Sequence, residues 1–172
     1  MKRITLISDT HGYLGSDVIS HLEDADEIWH AGDIGTIDVL DQLKELDKQL
    51  RVVYGNIDDK EMQRLTPLDE LFECHGLRVF MTHIGGYPGR YNKRIKSILS
   101  KERPDLYICG HSHILKVMPD KALSLIHMNP GACGIIGFHK YRTIIKFSII
   151  DKKLKDVSVV ELGLRSDISL QS

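Results

Sequence analysis

The first third of the chain alternates short apolar runs with amphipathic segments, and this alternation limits the fold more than any other feature. Residues 2–8, 27–31 and 51–54 are apolar runs that predict three strands. Between them, residues 16–22 and 38–50 place apolar side chains at helical spacing. Strands that alternate with helices pair in parallel through right-handed crossovers. This part of the chain therefore predicts a parallel α/β sheet.

The rest of the chain predicts hairpins and one more helix. Strands are expected at 71–74 and 77–82 around a His75-Gly76 turn, at 105–109, at 114–118 and 123–127, and at 141–150 and 154–162, with a helix at 89–102. We expect an α/β fold of two mixed sheets packed face to face, with helices outside. A single domain over 1–165 and a frayed tail over 166–172 complete the prediction. The apolar strand at 143–150 could be a dimer edge, but a core position is favoured; a homo-oligomer stays open.

Charge and cysteine usage exclude several classes of function. The 172 residues carry a formal net charge of −1, so no overall positive field would attract long nucleic acid. Three cysteines without a CxxC pair predict reduced thiols, and Cys109 is interpreted as a small core residue. The apolar run at the start is too short for a signal peptide core, and no stretch is long enough for a membrane span. We expect a cytoplasmic protein without a membrane partner.

Seven potential metal ligands follow five of the predicted strands. They are Asp9, His11, Asp33, Asn56, His83, His111 and His113. Carboxylates, an amide oxygen and imidazoles without thiolate suit divalent ions such as Mn, Ni, Fe, Zn or Mg. Each residue alone has a plain explanation as a cap, a turn or a hydrogen-bonded loop side chain. Their ordered placement directly after strands instead indicates a metal centre, and seven ligands exceed what one ion needs.

These motifs resemble a known family. Asp-x-His at 9–11, Gly-Asp at 32–33, Gly-Asn at 55–56, Thr-His at 82–83 and Gly-His-Ser-His at 110–113 stand in the order of the calcineurin-like metallophosphoesterase superfamily. The length and the late Asn-Pro-Gly-Ala at 129–132 are similar to its small prokaryotic phosphodiesterase branch. The resemblance implies a four-layer α/β/β/α sandwich with a dinuclear site.

By that resemblance, each ion takes four protein ligands. One would be held by Asp9, His11, Asp33 and His113, and the other by Asp33, Asn56, His83 and His111. Asp33 would bridge the two ions, of which manganese is the leading candidate. The implied activity is hydrolysis of a small phosphodiester, with a nucleotide as one candidate, by attack of a metal-bridging hydroxide. Asp33, Asn56 and His83 are the expected catalytic residues.

One position departs from the family pattern. Larger members continue the Gly-Asn motif with a histidine that assists the leaving group, but this chain has Ile57. The proton must then come from elsewhere, so esters with poor leaving groups should react slowly. Asp58 matches the acidic residue that follows the histidine, and Asp58, Arg90 and Tyr91 are the expected substrate contacts.

Four other histidines are given lesser roles. His30 is interpreted either as support for a ligand or as a plain buried histidine. The remaining three are expected to be surface or structural residues: His21, His75 and His139.

Other functions remain as alternatives. The same centre would suit a phosphomonoesterase or a dinucleotide pyrophosphohydrolase, and a metal or nucleotide sensor would keep the ligands without turnover. A non-catalytic protein-binding scaffold is also known on this fold, in the retromer subunit. A scaffold has no need of all seven ligands, and all seven positions are filled here. The enzyme reading is therefore favoured.

Overall fold

A computed structural model of the protein describes residues 1–168. The strands are β1 (Lys2–Ile7), β2 (Glu27–His30), β3 (Gln49–Val52), β4 (Asp69–Cys74), β5 (Leu77–Thr82), β6 (Leu106–Ile108), β7 (Leu115–Asp120), β8 (Leu125–Pro130), β9 (Tyr141–Ile150) and β10 (Lys153–Leu164). The helices are α1 (Ser16–Glu23), α2 (Ile37–Glu45), α3 (Lys60–Leu65), α4 (Lys93–Glu102) and α5 (Arg165–Ile168). No helix within residues 1–168 is long and apolar enough to cross a membrane.

The strands form two five-stranded mixed sheets. The first sheet has the order β10-β9-β1-β2-β3, in which β1, β2 and β3 are parallel and β9 runs antiparallel to β1. The second sheet has the order β4-β5-β6-β8-β7, with β5, β6 and β8 parallel and an antiparallel strand at each edge. The parallel strands thus form the centre of the second sheet and one side of the first, where β3 is the edge strand.

The two sheets pack on each other, and helices cover their outer faces. Along β1, Ile4 and Leu6 face the core between the sheets, where Trp29 also lies, while Ile7 faces the helices. This alternation follows from the period of two in a strand. Apolar residues of α1, α2 and α3 cover the first sheet, and α4 covers the second through Ile95. The result is the expected α/β/β/α order of layers. The cysteines at 74, 109 and 133 are free and buried, as predicted.

Several element boundaries differ from the prediction. The second helix ends at Glu45 instead of residue 50, because Leu50 pairs with Ile28 in the first sheet. The sequence does not predict helix α3, six residues long, because its apolar face consists of a single buried residue, Met62. Strands β7 and β8 both run beyond their predicted ends, so Pro119 and Asp120 belong to the ladder.

The late part of the chain forms a core strand and a short terminal helix. The apolar segment at 143–150 has the core position that the sequence favoured, because β9 is paired on both sides and mostly buried. The tail predicted to fray over 166–172 is preceded by Arg165, the first residue of α5 (Arg165–Ile168), whose side chain donates to the carbonyl of His139 at 3.0 Å. The predicted fraying of residues 169–172 lies outside the described residues.

Candidate metal centre

The sequence-predicted ligands meet where the parallel strands of both sheets end. The first sheet contributes Asp9 and His11 after β1, Asp33 after β2 and Asn56 after β3, and the second contributes His83 after β5 and His111 and His113 after β6. Carboxyl ends of parallel strands are where α/β folds commonly place ligands. The centre therefore spans the boundary between the two sheets.

Six of these side chains form two compact clusters. In the first, one ligand atom each from Asp9, His11 and His113 lie within 4.8 Å of one another. In the second, the same holds for Asp33, His83 and His111. Three ligand atoms at such separations can surround a single ion, since metal–nitrogen and metal–oxygen bonds are about 2.0–2.2 Å.

Asp33 faces both clusters. Its Oδ1 lies 3.2 Å from His83 Nε2, and its Oδ2 lies 3.5 Å from His11 Nε2. One carboxylate thus presents a different oxygen to each group of imidazoles. This is the geometry expected of a carboxylate that bridges two ions.

Asn56 lies in the turn that approaches the Asp33 carboxylate. The next residue, Ile57, donates its backbone N–H to Asp33 Oδ1 at 3.1 Å. A Cβ on Gly55 would lie 2.1 Å from the same oxygen, so only glycine allows the turn to approach so closely. Asn56 itself is exposed at this point. Its position beside Asp33 fits the seventh predicted ligand.

Two buried polar atoms at the centre lack hydrogen-bond partners. They are Asp9 Oδ1 and His83 Nε2. Asp9 Oδ1 lies 3.1 Å from His113 Nε2 and 3.7 Å from His11 Nε2 without a hydrogen bond to either. Buried polar atoms are rarely left unpaired in native proteins. Oxygen and nitrogen atoms that converge without bonding each other fit a divalent cation between them.

The backbone at these ligands adopts a conformation that side chains disfavour. Of the twelve non-glycine residues with positive φ in residues 1–168, five are candidate ligands. They are Asp9, His11, Asp33, His111 and His113, with φ between 48° and 68°. Such conformations cost on the order of 1–3 kcal/mol each and persist where the surroundings enforce them, often at functional sites.

The carboxylates and histidines of the centre shift each other's ionisation. Burial alone would raise the pKa of Asp9, but interactions with His11 and His113 outweigh it and lower that pKa. The pKa of Asp33 is lowered too: burial opposes the shift, and His83 drives it. Burial opposes protonation of His83, yet its carboxylate partners raise its pKa. The cluster thus favours ionised carboxylates.

Asp58, predicted to contact substrate, instead organises the loops of the centre. Its carboxylate is buried and accepts three backbone N–H groups, from Gly55 at 2.7 Å, Gly35 at 2.8 Å and Ile34 at 3.1 Å. These bonds join the loop that carries Asp33 to the turn that follows β3. With both oxygens committed to backbone donors, the geometry favours a structural role for Asp58.

His30 connects the first two strand ends. Its Nδ1 accepts the N–H of Gly32 at 3.1 Å, so Nε2 carries the proton and donates to Thr10 Oγ1 at 2.9 Å. Thr10 in turn donates to the carbonyl of Ile34 at 2.9 Å. Burial lowers the pKa of His30 to about 4, so the ring is neutral at pH 7. His30 is therefore a buried histidine that orders the backbone on either side of Asp33.

Asn129 holds the loop that carries the last two histidines. Its Nδ2 donates to the carbonyl of Gly110 at 2.8 Å and to Ser112 Oγ at 3.1 Å. Its Oδ1 accepts the N–H of Gly131 at 2.9 Å. The Asn-Pro-Gly-Ala segment thus supports the Gly-His-Ser-His segment from the neighbouring strand.

Two of the candidate ligand histidines are oriented through their Nδ1 atoms. His83 Nδ1 lies 2.7 Å from the carbonyl of Ala31, which can only accept, so the proton is on Nδ1 and the Nε2 lone pair faces the centre. His113 Nδ1 lies 3.1 Å from His139 Nδ1. His139, expected to be a surface or structural residue, is buried behind a ligand. No motif marked it, since the contact spans 26 residues and depends on a loop.

The predicted substrate contacts Arg90 and Tyr91 do not line the cavity beside His111. Arg90 is exposed, and Tyr91 donates its hydroxyl to Asp120 at 2.7 Å. The cavity has a volume of about 150 Å³ and is lined in part by Tyr87 and Lys116. The Lys116 ammonium lies 3.8 Å from the centroid of the Tyr87 ring.

Comparison with known proteins assigns the family. A family model described as the calcineurin-like phosphoesterase superfamily domain matches residues 1–152. A probable metallophosphoesterase of Methanocaldococcus jannaschii is 30% identical over 155 residues, which cover 87% of this chain and 77% of the relative.

Solved structures share the fold at low sequence identity. One, described as a novel archaeal phosphodiesterase, has a TM-score of 0.71 and 20% identity, and the match covers 92% of this chain and 99% of that one. Vps29 of Chaetomium thermophilum has a TM-score of 0.73 and 14% identity, with coverage of 94% and 97%. The family match and the sequence relative together show that this chain belongs to the calcineurin-like phosphoesterase superfamily.

Proposed function

We propose that this protein is a dinuclear metal-dependent phosphodiesterase that hydrolyses a small phosphodiester, with a nucleotide as the leading class. One observation carries the proposal: two three-residue clusters of metal-ligand type lie side by side, and Asp33 faces both. We assign one ion to Asp9, His11, Asp33 and His113, and the other to Asp33, Asn56, His83 and His111.

The metal chemistry and the roles of the residues follow from this arrangement. Two divalent ions, when bound, act as Lewis acids and supply hydroxide at neutral pH, so phosphate ester hydrolysis needs no protein nucleophile. Asp33 would hold the ions close together, and His83 would present its Nε2 because Ala31 accepts its Nδ1–H. Asn56 would add a neutral oxygen. Burial raises the pKa of the nearby Cys109 thiol to about 12, which keeps it unreactive.

Ile57 shapes the expected substrate preference. Its side chain is 44% exposed at the position where larger relatives carry a histidine, and it can donate no proton. The leaving group must then depart as an anion or take its proton from water. We therefore expect faster turnover of esters with acidic leaving groups, such as aryl phosphodiesters.

The cavity beside His111 is the proposed place for one organic group of the diester. Its volume of about 150 Å³ is similar to that of apolar cavities that hold a single aromatic ring. Tyr87 contributes an aromatic ring to its lining, and Lys116 contributes a positive charge beside that ring. A diester with one ring-bearing arm would match this lining.

The test is hydrolysis by metal-stripped protein titrated with Mn²⁺. An aryl phosphodiester and the matching aryl phosphomonoester serve as substrates, with Asp33→Asn as the inactive variant and the exposed Asp38→Asn as the matched control. We expect diester turnover that requires metal, survives in the control and disappears in Asp33→Asn. Faster monoester turnover would support a phosphomonoesterase instead. Titration with Ni²⁺, Fe²⁺, Zn²⁺ and Mg²⁺ tests the preference for manganese.

A second candidate is a protein-binding scaffold on the same fold. The observation that favours it is a group of exposed apolar side chains on the loops next to the centre: Phe138 is fully exposed, Ile114 is 60% exposed and Ile136 is 56% exposed. Surface apolar residues that gather in one region often mark interaction sites. The hydrolysis assay separates the two functions, because a scaffold would turn over neither ester with any of the metals.

A further inference from the structure

A buried histidine outside the predicted ligand set stands directly behind His113. The two Nδ1 atoms, of His113 and His139, are 3.1 Å apart, and the rings meet edge to face with centroids 5.0 Å apart. On its far side, His139 Nε2 lies 3.0 Å from the backbone carbonyl of Gly134. The three groups form a chain of hydrogen bonds that ends at the candidate centre.

The direction of these hydrogen bonds follows from the carbonyl at the end of the chain. A carbonyl only accepts, so the proton of a neutral His139 is on Nε2 and its Nδ1 carries a lone pair. His113 must then donate its Nδ1–H to His139. This leaves the Nε2 lone pair of His113 directed at the centre, 3.2 Å from His11 Nε2 and 3.1 Å from Asp9 Oδ1.

We infer that His139 is a positioning residue for one of the two ions: it fixes the tautomer and ring orientation of His113, and so strengthens binding at the cluster of Asp9, His11 and His113. The inference rests on the proposed dinuclear centre. Partners of this kind orient metal-binding histidines and raise their basicity. His139 is not a proton donor to substrate, because both of its ring nitrogens are engaged.

The loop that carries His139 is tied to the same cluster it supports. Gly134 donates its N–H to the carbonyl of Asp9 at 3.2 Å, so the acceptor of His139 is fixed to a ligand residue. Arg165 holds the far side of the loop through the carbonyls of His139 at 3.0 Å and Ile135 at 3.3 Å. The position of His139 is therefore enforced from both sides.

Gly137 allows the loop to close over the two rings. Its φ is +134°, and a Cβ there would lie 2.2 Å from His113 Nδ1 and 3.2 Å from His139 Nδ1. A side chain at this position would separate the imidazoles. The backbone of the loop thus accommodates their contact.

The two clusters differ in how their histidines are oriented. His83 in the second cluster donates to a backbone carbonyl, that of Ala31, which no side-chain substitution removes. His113 in the first cluster depends on a side chain. Loss of His139 should therefore weaken one ion selectively.

The test measures metal binding rather than turnover. His139→Phe keeps a ring in the loop but offers no acceptor, and His139→Gln keeps an acceptor oxygen. His75→Phe, at an exposed turn, is the matched control. Metal-stripped proteins are titrated with Mn²⁺ by calorimetry. The same variants are also made in a His111→Ala background, which removes a ligand from the second cluster only and reports the first cluster alone.

We expect His139→Phe to weaken one of the two ions by about 10- to 100-fold, while the other ion binds as in the wild type. In the His111→Ala background, the measured affinity should show the whole of this decrease. His139→Gln should bind the ion more tightly than His139→Phe. Thermal unfolding of the metal-free variants checks that the loop is intact.

Three outcomes would overturn the inference. They are unchanged binding of both ions in His139→Phe, equal weakening of both ions, and equal loss in the Gln and Phe variants. If the wild type binds two ions and His139→Phe binds them equally well, only the role of His139 fails. If the wild type does not bind two ions, the dinuclear centre fails with it.

Discussion

Among single residues, the candidate ligands with a left-handed backbone carry a conformational cost. His111 has φ of 68° and is exposed, so its side chain contributes little packing that would offset the conformational cost. Residues other than glycine lose about 1–2 kcal/mol in this conformation. The loop after β6 thus places a candidate ligand in a conformation that lowers stability.

A pair of variants at this position tests the trade. His111→Gly and His111→Ala both remove the imidazole, but only glycine adopts the left-handed conformation without strain. We expect metal-free His111→Gly to be the more stable variant, with an unfolding free energy about 1 kcal/mol larger than that of His111→Ala. Urea denaturation measures this difference. Ser100, an exposed residue within α4 with negative φ, is the control position. There Ser100→Ala should be more stable than Ser100→Gly. Equal stabilities at His111 would argue against backbone strain.

Asp58 offers a second test at this scale. Asp58→Asn replaces one acceptor oxygen with an amide donor, which would face backbone N–H groups. We expect a loss of about 2–3 kcal/mol in unfolding free energy, measured by urea denaturation of the metal-free protein. Asp38→Asn, at the exposed start of α2, should change it little. An Asp58→Asn variant with unchanged stability but a raised KM would instead restore Asp58 as a substrate contact.

At the scale of elements, a buried arginine connects β9, the 131–134 loop and α1. Arg142 is fully buried, donates Nε to the carbonyl of Cys133 at 2.8 Å, and pairs through both terminal nitrogens with Asp17 at 2.6 and 3.3 Å. The side chain of Asp17 is 40% exposed. The pair is therefore asymmetric: loss of the acid leaves a buried charge without its partner.

This asymmetry predicts the outcome of a mutant cycle. Asp17→Ala should destabilise the protein by about 3 kcal/mol, because the guanidinium stays buried and loses its counter-charge. Adding Arg142→Met should cause little further loss, since the charge is removed as well. Asp24→Ala, whose side chain is 75% exposed, is the control and should have a small effect. Strictly additive losses in chemical denaturation would contradict this account.

Elements and ligands with local signals could be predicted from the sequence, and those that depend on distant contacts could not. The apolar runs ending at Asp9, Asp33 and His111 are short-range patterns, and they identified both the strands and the polar residues that follow them. Helix α3 has one buried side chain, which is too weak a pattern to detect. The roles of Asp58 and His139 depend on contacts across 24 and 26 residues, which periodicity does not encode.

For the molecule as a whole, the centre joins the two sheets. Asp9, Asp33 and Asn56 follow strands of the first sheet, while His83 and His113 follow strands of the second. Metal bound to both sets would link the layers directly. An ion that binds only the folded state raises the stability of that state.

Metal addition should therefore stabilise the whole fold. At a free Mn²⁺ concentration of about 100 times Kd, we expect the unfolding free energy to rise by about 2.7 kcal/mol for each site that only the folded state forms. Denaturation with and without a chelator measures this rise, and Asp33→Asn should abolish most of it. A metal effect of equal size in that variant would place the binding elsewhere.

Acid should destabilise the metal-free protein through buried neutral histidines. Burial lowers the pKa of His30 and of His127 to about 4 each, whereas the unfolded chain titrates near 6.5. Between these values the unfolded state binds more protons, so stability falls as the pH decreases, by up to about 1.4 kcal/mol per unit and group. His127 stacks on Tyr107, so His127→Phe should keep the packing. It should reduce the slope of unfolding free energy against pH by about the contribution of one histidine.

The control for this pH experiment is the exposed His75→Phe, which should leave the slope unchanged. Urea denaturation between pH 4 and 7, in the presence of a chelator, gives the slope for each protein. An unchanged slope in His127→Phe would mean that His127 is not buried in its neutral form.

The position of β1 has a consequence for how the protein is made. This strand lies between β2 and β9, with Leu6 opposite Ile145, and the Asp9 backbone accepts a bond from Gly134. During synthesis, Asp9 is translated more than a hundred residues before Gly134, whose N–H its carbonyl accepts. The nascent chain therefore contains Asp9 and Asp33 before the other candidate ligands are in place around them. The proposed metal site would form only after β9 has paired with β1, so a metal ion would stabilise the fold at a late stage of folding.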